Sequence, residues 1–220
     1  PVVCVNRPDS NVPASIGPPL PGIEVKIGEN GELLTRSRCV MRGYWQDDEA
    51  TRAMIDADGW LRSGDQASVD AGGHYTIVGR LKDIIVLSNG EKVPPSEMEA
   101  AILLDPLFEQ VMIVGEGRPC LAALAVLNEA HWPDFAASLN ADPRHPATLR
   151  DPRVAKALVQ RVARQLRHFP GYAQIRRVYP ELEPWTLEDG LLTPTLKVKR
   201  KQVLDRYRAA IEAMYADFAR

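Results

Sequence analysis

The sequence GRLKDII at residues 79–85 joins two parts of the chain that have different patterns. Apolar strand patterns lie on either side of its first five residues, 79–83, at residues 74–78 and 84–87. Lys82 and Asp83 place two charges between these strands, where a continuous sheet would favour neither residue. We therefore expect a connection between two domains. An exposed turn within one domain remains the alternative.

The part of the chain before this connection is rich in β signals. Residues 1–22 contain many prolines and glycines, which predict extended or turning chain. Residues 23–27 alternate apolar and polar side chains, and residues 32–36 return after a turn, so both predict strands. Residues 1–79 have too little apolar mass for a complete domain, and we expect them to be the C-terminal end of a larger one.

The part from residue 80 to residue 220 predicts a compact α+β domain, since strand and helix patterns follow one another. Ser96 and Glu99 have the spacing of a capping box and predict the start of a helix. The predicted elements are a helix at 96–104, strands at 111–114 and 121–127, a helix at 151–168, a third strand at 175–179 and a last helix at 201–218.

The composition excludes several classes of function. The 220 residues are 45% hydrophobic and 25% charged, with a net charge of −2, so no strong field favours nucleic acid. No apolar run approaches the roughly 18 residues of a membrane-spanning helix. Because the first residue is Pro1 and not Met, we expect the natural N-terminus to lie upstream.

Cysteines and histidines give no sign of a disulfide framework or a metal site. Cys4, Cys39 and Cys120 are far apart, and the four histidines are scattered. We interpret Cys39 and Cys120 as small core residues. A reducing cytoplasmic location is expected, and peripheral contact with a membrane stays open.

Two short segments in the first part could bind a nucleotide. Residues 59–65, GWLRSGD, predict a tight loop that ends in the carboxylate of Asp65, which could accept both hydroxyls of a ribose. Arg80 offers a planar group of donors for ribose or phosphate oxygens. An ordinary turn with a capping aspartate is the alternative for the first segment, and an exposed turn for the second.

Two segments in the second part are further candidates. Gly90, in the loop at 88–95 before the predicted helix, could let a ligand pass close to the backbone. Residues 192–201 are basic, and a single lysine there could offset charge on phosphoryl oxygens. The same residues could form a solvated face or contact nucleic acid. No aromatic residue is interleaved, and acidic residues lie just upstream, which disfavours nucleic acid.

Taken in order, these segments resemble the adenylate-forming superfamily of acyl-CoA synthetases, aryl-CoA ligases, luciferases and peptide-synthetase adenylation domains. The resemblance covers roughly residues 17–208. The form TPTLKVKR at 193–200, together with SNGEK at 88–92, looks most like long-chain fatty acyl-CoA synthetases. Many relatives have Gly-Lys in place of Leu196-Lys197, so the catalytic lysine aligns with Lys197 and not with Lys199.

The resemblance implies a role for each candidate residue. Asp65 would bind the ribose hydroxyls of ATP, and Arg80 would contact the ribose or the phosphate. Lys197 would enter the site for adenylation and leave it for thioester formation, by rotation of a mobile C-terminal domain about Lys82. Gly90 would line the path of the CoA thiol.

The resemblance also implies what this chain lacks. The superfamily's phosphate loop and its Tyr–Thr–Glu-type segment do not occur in the sequence. We therefore expect the C-terminal part of an ATP-dependent, AMP-forming acid:CoA ligase, dependent on Mg²⁺ and acting on a fatty acid, that is inactive by itself. A relative that loads a carrier protein or an amine, and a non-catalytic module that binds nucleic acid, remain alternatives. The sequence does not indicate an oligomeric state.

Overall fold

The computed structural model describes residues 2–218, and these fall into two compact units that divide between Ile84 and Ile85. The division therefore comes two residues after Lys82. That the first unit is the end of a larger domain stays a prediction. Across the described residues, no helix is both long enough and apolar enough to cross a membrane.

The first unit is built on one antiparallel sheet with the strand order β1-β2-β3-β4. Its core is small, with Cys4, Leu33, Ala67 and Tyr75 buried together. Sequence patterns missed β3, because its central residues are polar or glycine. The elements are β1 (Glu24–Ile27), β2 (Glu32–Arg36), α1 (Asp48–Met54), β3 (Leu61–Val69) and β4 (Tyr75–Arg80).

The second unit combines a two-stranded hairpin, a three-stranded sheet and five helices in its described part, and the predicted α+β class is confirmed. In the larger sheet β7 pairs antiparallel with β8, and β9 pairs parallel with β8. The parallel strand follows a crossover through helices α3 and α4, as parallel pairing requires. The elements are β5 (Ile85–Val86), β6 (Lys92–Val93), α2 (Pro95–Ile102), β7 (Phe108–Val114), β8 (Leu121–Leu127), α3 (Trp132–Ser138), α4 (Pro152–Gln165), β9 (Ile175–Glu181), α5 (Arg200–Arg206) and α6 (Arg208–Tyr215).

Strand β8 is buried along its whole length and separates two apolar clusters. Alternate residues of the strand join different clusters, because successive side chains point to opposite faces. Ala123 and Ala125 face the cluster that includes α2 and α4. Leu124 and Val126 face the cluster that includes α5 and α6. The second unit is therefore a three-layer structure with its sheet in the middle.

An ion pair between Asp105 and Arg161 holds the turn that connects α2 and β7. Asp105 is buried, and its carboxylate accepts from Nε and Nη2 of Arg161 at 2.5 and 2.9 Å. Burial by itself would raise the pKa of the Asp105 carboxyl, but Arg161 and the N–H of Leu107 hold that pKa below its ordinary value. This pair ties α4 to the turn that follows α2.

Three expectations about local structure are wrong. The capping box does not form, because the helix already begins at Pro95 and the N-cap is Pro94. Cys39 is exposed, because it lies in a turn and not in a strand. Its N–H donates to Oγ of Ser37. The last helix is divided at Tyr207, where φ and ψ of −98° and 14° leave the helical range. The side chain of Phe218 lies outside the described residues.

Candidate active-site residues

Asp65 lies in the middle of β3, where the backbone around it is held by side chains. Gly64 has a φ of +70°, which glycine adopts without steric cost. The N–H of Gly64 donates to Oε1 of the buried Glu32 at 3.1 Å, and the N–H of Asp65 donates to Oγ of Ser63 at 3.0 Å. The pairing of β3 with β4 shifts register just after Gln66. Such a bulge changes the direction of the neighbouring side chains.

The predicted tight loop at 59–65 is wrong in its position. The turn lies earlier, where Oδ1 of Asp56 accepts from the N–H groups of Asp58 and Trp60 at 3.0 and 2.9 Å. An aspartate that bonds the backbone in this way closes a turn by itself. From Leu61 onward the chain is already paired with β2, so Asp65 is presented by a sheet and not by a loop.

The structure brings Asp65 and Arg80 together across the β3–β4 ladder. The two residues are direct partners in the register, and Nε of Arg80 lies 2.7 Å from Oδ1 of Asp65. Their side chains are 25% and 52% exposed. An exposed pair of this kind adds little to stability, about 0–1 kcal/mol. The arrangement offers a half-buried acceptor, Asp65, beside an exposed planar donor, Arg80.

Lys82 lies in a single 3₁₀ turn, Leu81–Asp83, immediately before the division between the units. Its side chain is exposed. One long hydrogen bond closes the turn, from the N–H of Ile84 to the carbonyl of Leu81 at 3.4 Å. A single long hydrogen bond restrains the backbone of this turn weakly. The hinge role of Lys82 stays a prediction.

Gly90 lies at the tip of the β5–β6 hairpin. Its N–H donates to the carbonyl of Leu87 at 2.8 Å, and the N–H of Leu87 donates to the carbonyl of Glu91 at 2.9 Å. The φ of Gly90 is +86°, as expected for the glycine that follows the turn in a hairpin of this length. A Cβ built at Gly90 meets no atom within 4 Å. No described atom of the second unit therefore blocks the approach of a ligand to the backbone on this side of Gly90.

Residues 191–199 form a hairpin, and residues 193–197 are the turn at its tip. Lys197 is the last residue of that turn. Its carbonyl accepts from the N–H of Thr193 at 2.8 Å, and its N–H donates to Oγ1 of Thr193 at 3.1 Å. Its side chain is exposed. Leu196 has a φ of +59°, a conformation that glycine adopts freely and other residues adopt at a cost. The position therefore suits the glycine that precedes the aligned lysine in many relatives.

Lys199 has a different environment from Lys197. It is the N-cap of α5, it is half-buried, and its N–H donates to the carbonyl of Leu191 at 2.8 Å. Leu192 and Val198 form the bridge between the two arms of the hairpin. The basic segment is thus not one uniform solvated face, because Lys197 is presented at the tip and Lys199 belongs to the base.

Sequence reasoning missed a cluster at the base of this hairpin. Oε1 of Glu99 accepts from the N–H of Ile113 at 2.8 Å and from Nη1 of Arg200 at 2.7 Å. Nη2 of Arg200 donates to the carbonyl of Ile113 at 2.5 Å. The capping-box interpretation of Glu99 hid this role. Both residues lie within the segments that carry the family resemblance, and that was the available signal.

Within residues 2–218 there is no group of three or more histidine, cysteine, aspartate or glutamate side chains placed to hold a metal ion. No residue of this chain is therefore assigned as a ligand of Mg²⁺.

The family model described as the AMP-binding enzyme C-terminal domain matches residues 82–219, which is more than half of the chain. The chain belongs to the AMP-binding enzyme family. The match begins at Lys82, two residues before the division between the units.

Known members of the AMP-binding family resemble this chain over most of its length. The long-chain-fatty-acid–CoA ligase FadD15 of Mycobacterium tuberculosis is 34% identical over 91% of this chain and 34% of its own length. The chloroplastic long-chain-fatty-acid–[acyl-carrier-protein] ligase AEE15 of Arabidopsis thaliana is 31% identical over 98% of this chain and 31% of its own length.

A solved structure shares the fold. The A domain of the carboxylic acid reductase from Segniliparus rugosus, in complex with AMP and a co-purified carboxylic acid, superposes with a TM-score of 0.76 at 26% identity. The match covers 92% of this chain and 32% of the reductase chain. This chain therefore spans about a third of the length of the relatives that it matches.

Proposed function

We propose that this chain is the C-terminal part of an ATP-dependent, AMP-forming acid:CoA ligase that acts on a fatty acid. The first step joins the acid to the α-phosphate of ATP and releases pyrophosphate. The second step transfers the acyl group from AMP to the thiol of CoA. The observation that carries the proposal is the presentation of Lys197, an exposed ammonium on a turn that is closed by its own backbone hydrogen bonds.

In the proposed mechanism each residue of the chain acts on a stated group. Asp65 accepts hydrogen bonds from the ribose hydroxyls, and Arg80 donates to ribose or phosphate oxygens. Lys197 places its positive charge beside the α-phosphate, where negative charge develops during adenylation. Arg80 and Lys197 are exposed and Asp65 is half-buried, so each of them has surface that a nucleotide could contact.

The second step needs a path for a thiol and not a cation. A rotation about Lys82 would withdraw Lys197 and bring the Gly90 hairpin to the acyl-adenylate. The open space around Gly90 supports this role, because a pantetheine chain could lie against its backbone. Mg²⁺ would neutralise phosphate charge when bound, and its ligands are not assigned to this chain.

A second candidate is a ligase that passes the acyl group to a carrier protein. It is favoured by the similarity to the chloroplastic acyl-carrier-protein ligase. Adenylation by Lys197 and Asp65 is the same in both candidates. A non-catalytic module that binds nucleic acid is disfavoured, because Arg200 in the basic segment is paired with Glu99.

The test uses the complete protein and, separately, the 220-residue chain. The complete protein, given a fatty acid, ATP and Mg²⁺, should form AMP and acyl-CoA when CoA is added. Turnover with acyl carrier protein but not with CoA would favour the second candidate. The 220-residue chain alone should form neither product, and robust turnover by it would contradict the proposal. Salt-dependent binding of an oligonucleotide would favour the non-catalytic module.

A further inference from the structure

The Glu99–Arg200 cluster closes an otherwise open edge of the central sheet. β7 lies at the edge of the three-stranded sheet. The N–H and the carbonyl of Ile113 are bonded by Glu99 and Arg200, which takes the place of a neighbouring strand. The two charged side chains are 16% and 23% exposed, so water competes little with these bonds.

Arg200 connects three elements through one side chain. Its backbone begins α5, its Nη1 reaches Glu99 on α2, and its Nη2 reaches Ile113 on β7. A planar guanidinium can bind two acceptors in fixed directions at once, which the single ammonium of a lysine cannot do in the same geometry. The start of α5 is thereby held in place against the sheet.

The hairpin that carries Lys197 is anchored at this point. Lys197 precedes Arg200 by three residues, and Val198 and Lys199 between them form the base of the hairpin. The turn at the tip is closed by bonds within residues 193–197. The position of the turn that carries Lys197 therefore depends on the bonds of Arg200 that hold the base of the hairpin against the sheet.

We propose that Arg200, held by Glu99, is a positioning residue that fixes Lys197 for adenylation. This inference rests on the proposed function of Lys197. Misplacement of a catalytic group by about 1 Å can cost roughly 10²-fold in rate. Loosening the base of the hairpin should therefore slow adenylation, which uses Lys197. It should leave the rate of thioester formation unchanged, because that step does not use Lys197.

The test is a double-mutant cycle in the complete protein. Arg200→Lys keeps the positive charge but cannot hold both Glu99 and Ile113. Acyl-AMP formation at saturating ATP and fatty acid should fall about 10- to 100-fold, with the KM for ATP nearly unchanged. Thioester formation from synthetic acyl-AMP and CoA should be nearly unchanged. In a Lys197→Ala background, Arg200→Lys should have no further effect on adenylation.

Two further variants keep the test decisive. Glu99→Gln retains an acceptor for the N–H of Ile113 and carries the same prediction if Arg200→Lys does not fold. Arg208→Lys is the matched control, since Arg208 pairs with Asp205 at 2.5 Å on an exposed surface, and it should leave both rates unchanged.

The outcomes separate this inference from the proposed function. If Arg200→Lys slows adenylation by the same factor with and without Lys197, the positioning role is overturned and the proposed function stands. If Lys197→Ala does not slow adenylation, the role proposed for Lys197 and the positioning role of Arg200 are both overturned. If Arg200→Lys slows adenylation in the wild-type background but not in the Lys197→Ala background, the role of Lys197 and the positioning role of Arg200 are both supported.

Discussion

The Asp65–Arg80 pair of the first unit and the Asp105–Arg161 pair of the second unit differ in burial. The side chains of Asp65 and Arg80 in the first unit are 25% and 52% exposed. Those of Asp105 and Arg161 in the second unit are 5% and 33% exposed. The same chemistry therefore serves two purposes. Removing one partner of the more buried pair should cost stability, because it leaves the other charge without its partner, whereas the more exposed pair contributes little to stability and remains available to a ligand.

The comparison extends to single residues. Lys197 is exposed at the tip of its turn, so its removal should affect chemistry and not folding. Arg200, three residues later, is largely buried and bonded to the sheet. Removal of the exposed Lys197 ammonium should therefore change rates with little change in stability, whereas a change at the largely buried Arg200 should affect stability as well as adenylation.

The largest effect is expected for Lys197→Ala in the complete protein. Loss of one well-placed donor to a developing charge should slow acyl-AMP formation about 10²- to 10³-fold, or roughly 3–4 kcal/mol. Thioester formation from synthetic acyl-AMP and CoA should be nearly unchanged, and so should the midpoint of unfolding. Rapid-quench measurement of the two half-reactions checks this.

Lys199→Ala is the matched control for that experiment. Because Lys199 lies at the base of the hairpin, its removal should slow adenylation far less. If Lys199→Ala abolishes adenylation and Lys197→Ala does not, the assignment of the catalytic lysine is wrong by two residues. Small effects of both changes would mean that the segment is a surface feature.

The next largest effect is expected for Asp105→Asn, measured as stability. Loss of the charged hydrogen bonds to Arg161 should lower the free energy of unfolding by about 2 kcal/mol. Because the folded-state pKa of Asp105 lies below its ordinary value of 3.8, the wild-type advantage is present above that pH and is lost as the pH falls through the folded-state pKa. Urea unfolding of both proteins at neutral and acidic pH checks this. An equal difference at both pH values would contradict it.

Asp65→Asn, unlike Asp105→Asn, should change the kinetics of adenylation and leave the stability of the fold nearly unchanged. The charged acceptor for the ribose hydroxyls is lost, so kcat/KM for ATP should fall about tenfold, or roughly 1.5 kcal/mol. The free energy of unfolding should change by less than about 1 kcal/mol, because the pair with Arg80 is exposed. Steady-state kinetics and urea unfolding on the same preparation check this. Stability loss equal to that of Asp105→Asn would remove the distinction between the two pairs.

The smallest effect is expected at Leu196, and it tests the backbone of the turn. Leu196→Val should destabilise the second unit by about 1 kcal/mol relative to Leu196→Gly, because a β-branched residue tolerates a positive φ poorly. Leu196→Gly should keep adenylation within a few-fold of the wild-type rate. Equal stability of the two variants would show that the turn does not require this conformation.

Local patterns in the sequence predicted most of the elements of the second unit. The apolar strands that became β7 and β8 and the apolar face of α4 were confirmed, because alternation and helical spacing depend on neighbours in the chain. The order of the motifs identified the family, and the match to residues 82–219 confirmed it. The roles of Asp65, Arg80, Lys82, Gly90 and Lys197 stay predictions.

Tertiary structure alone decided which residues meet. Glu99 and Arg200 are 101 residues apart in the chain and share the peptide group of Ile113. Asp65 proved to be in a strand and not in a loop, because pairing with β2 and β4 overrode its weak local preference. Burial likewise separated the Asp105–Arg161 pair from the Asp65–Arg80 pair. Composition and spacing cannot supply these facts, since each depends on contacts that form only when distant segments pack together.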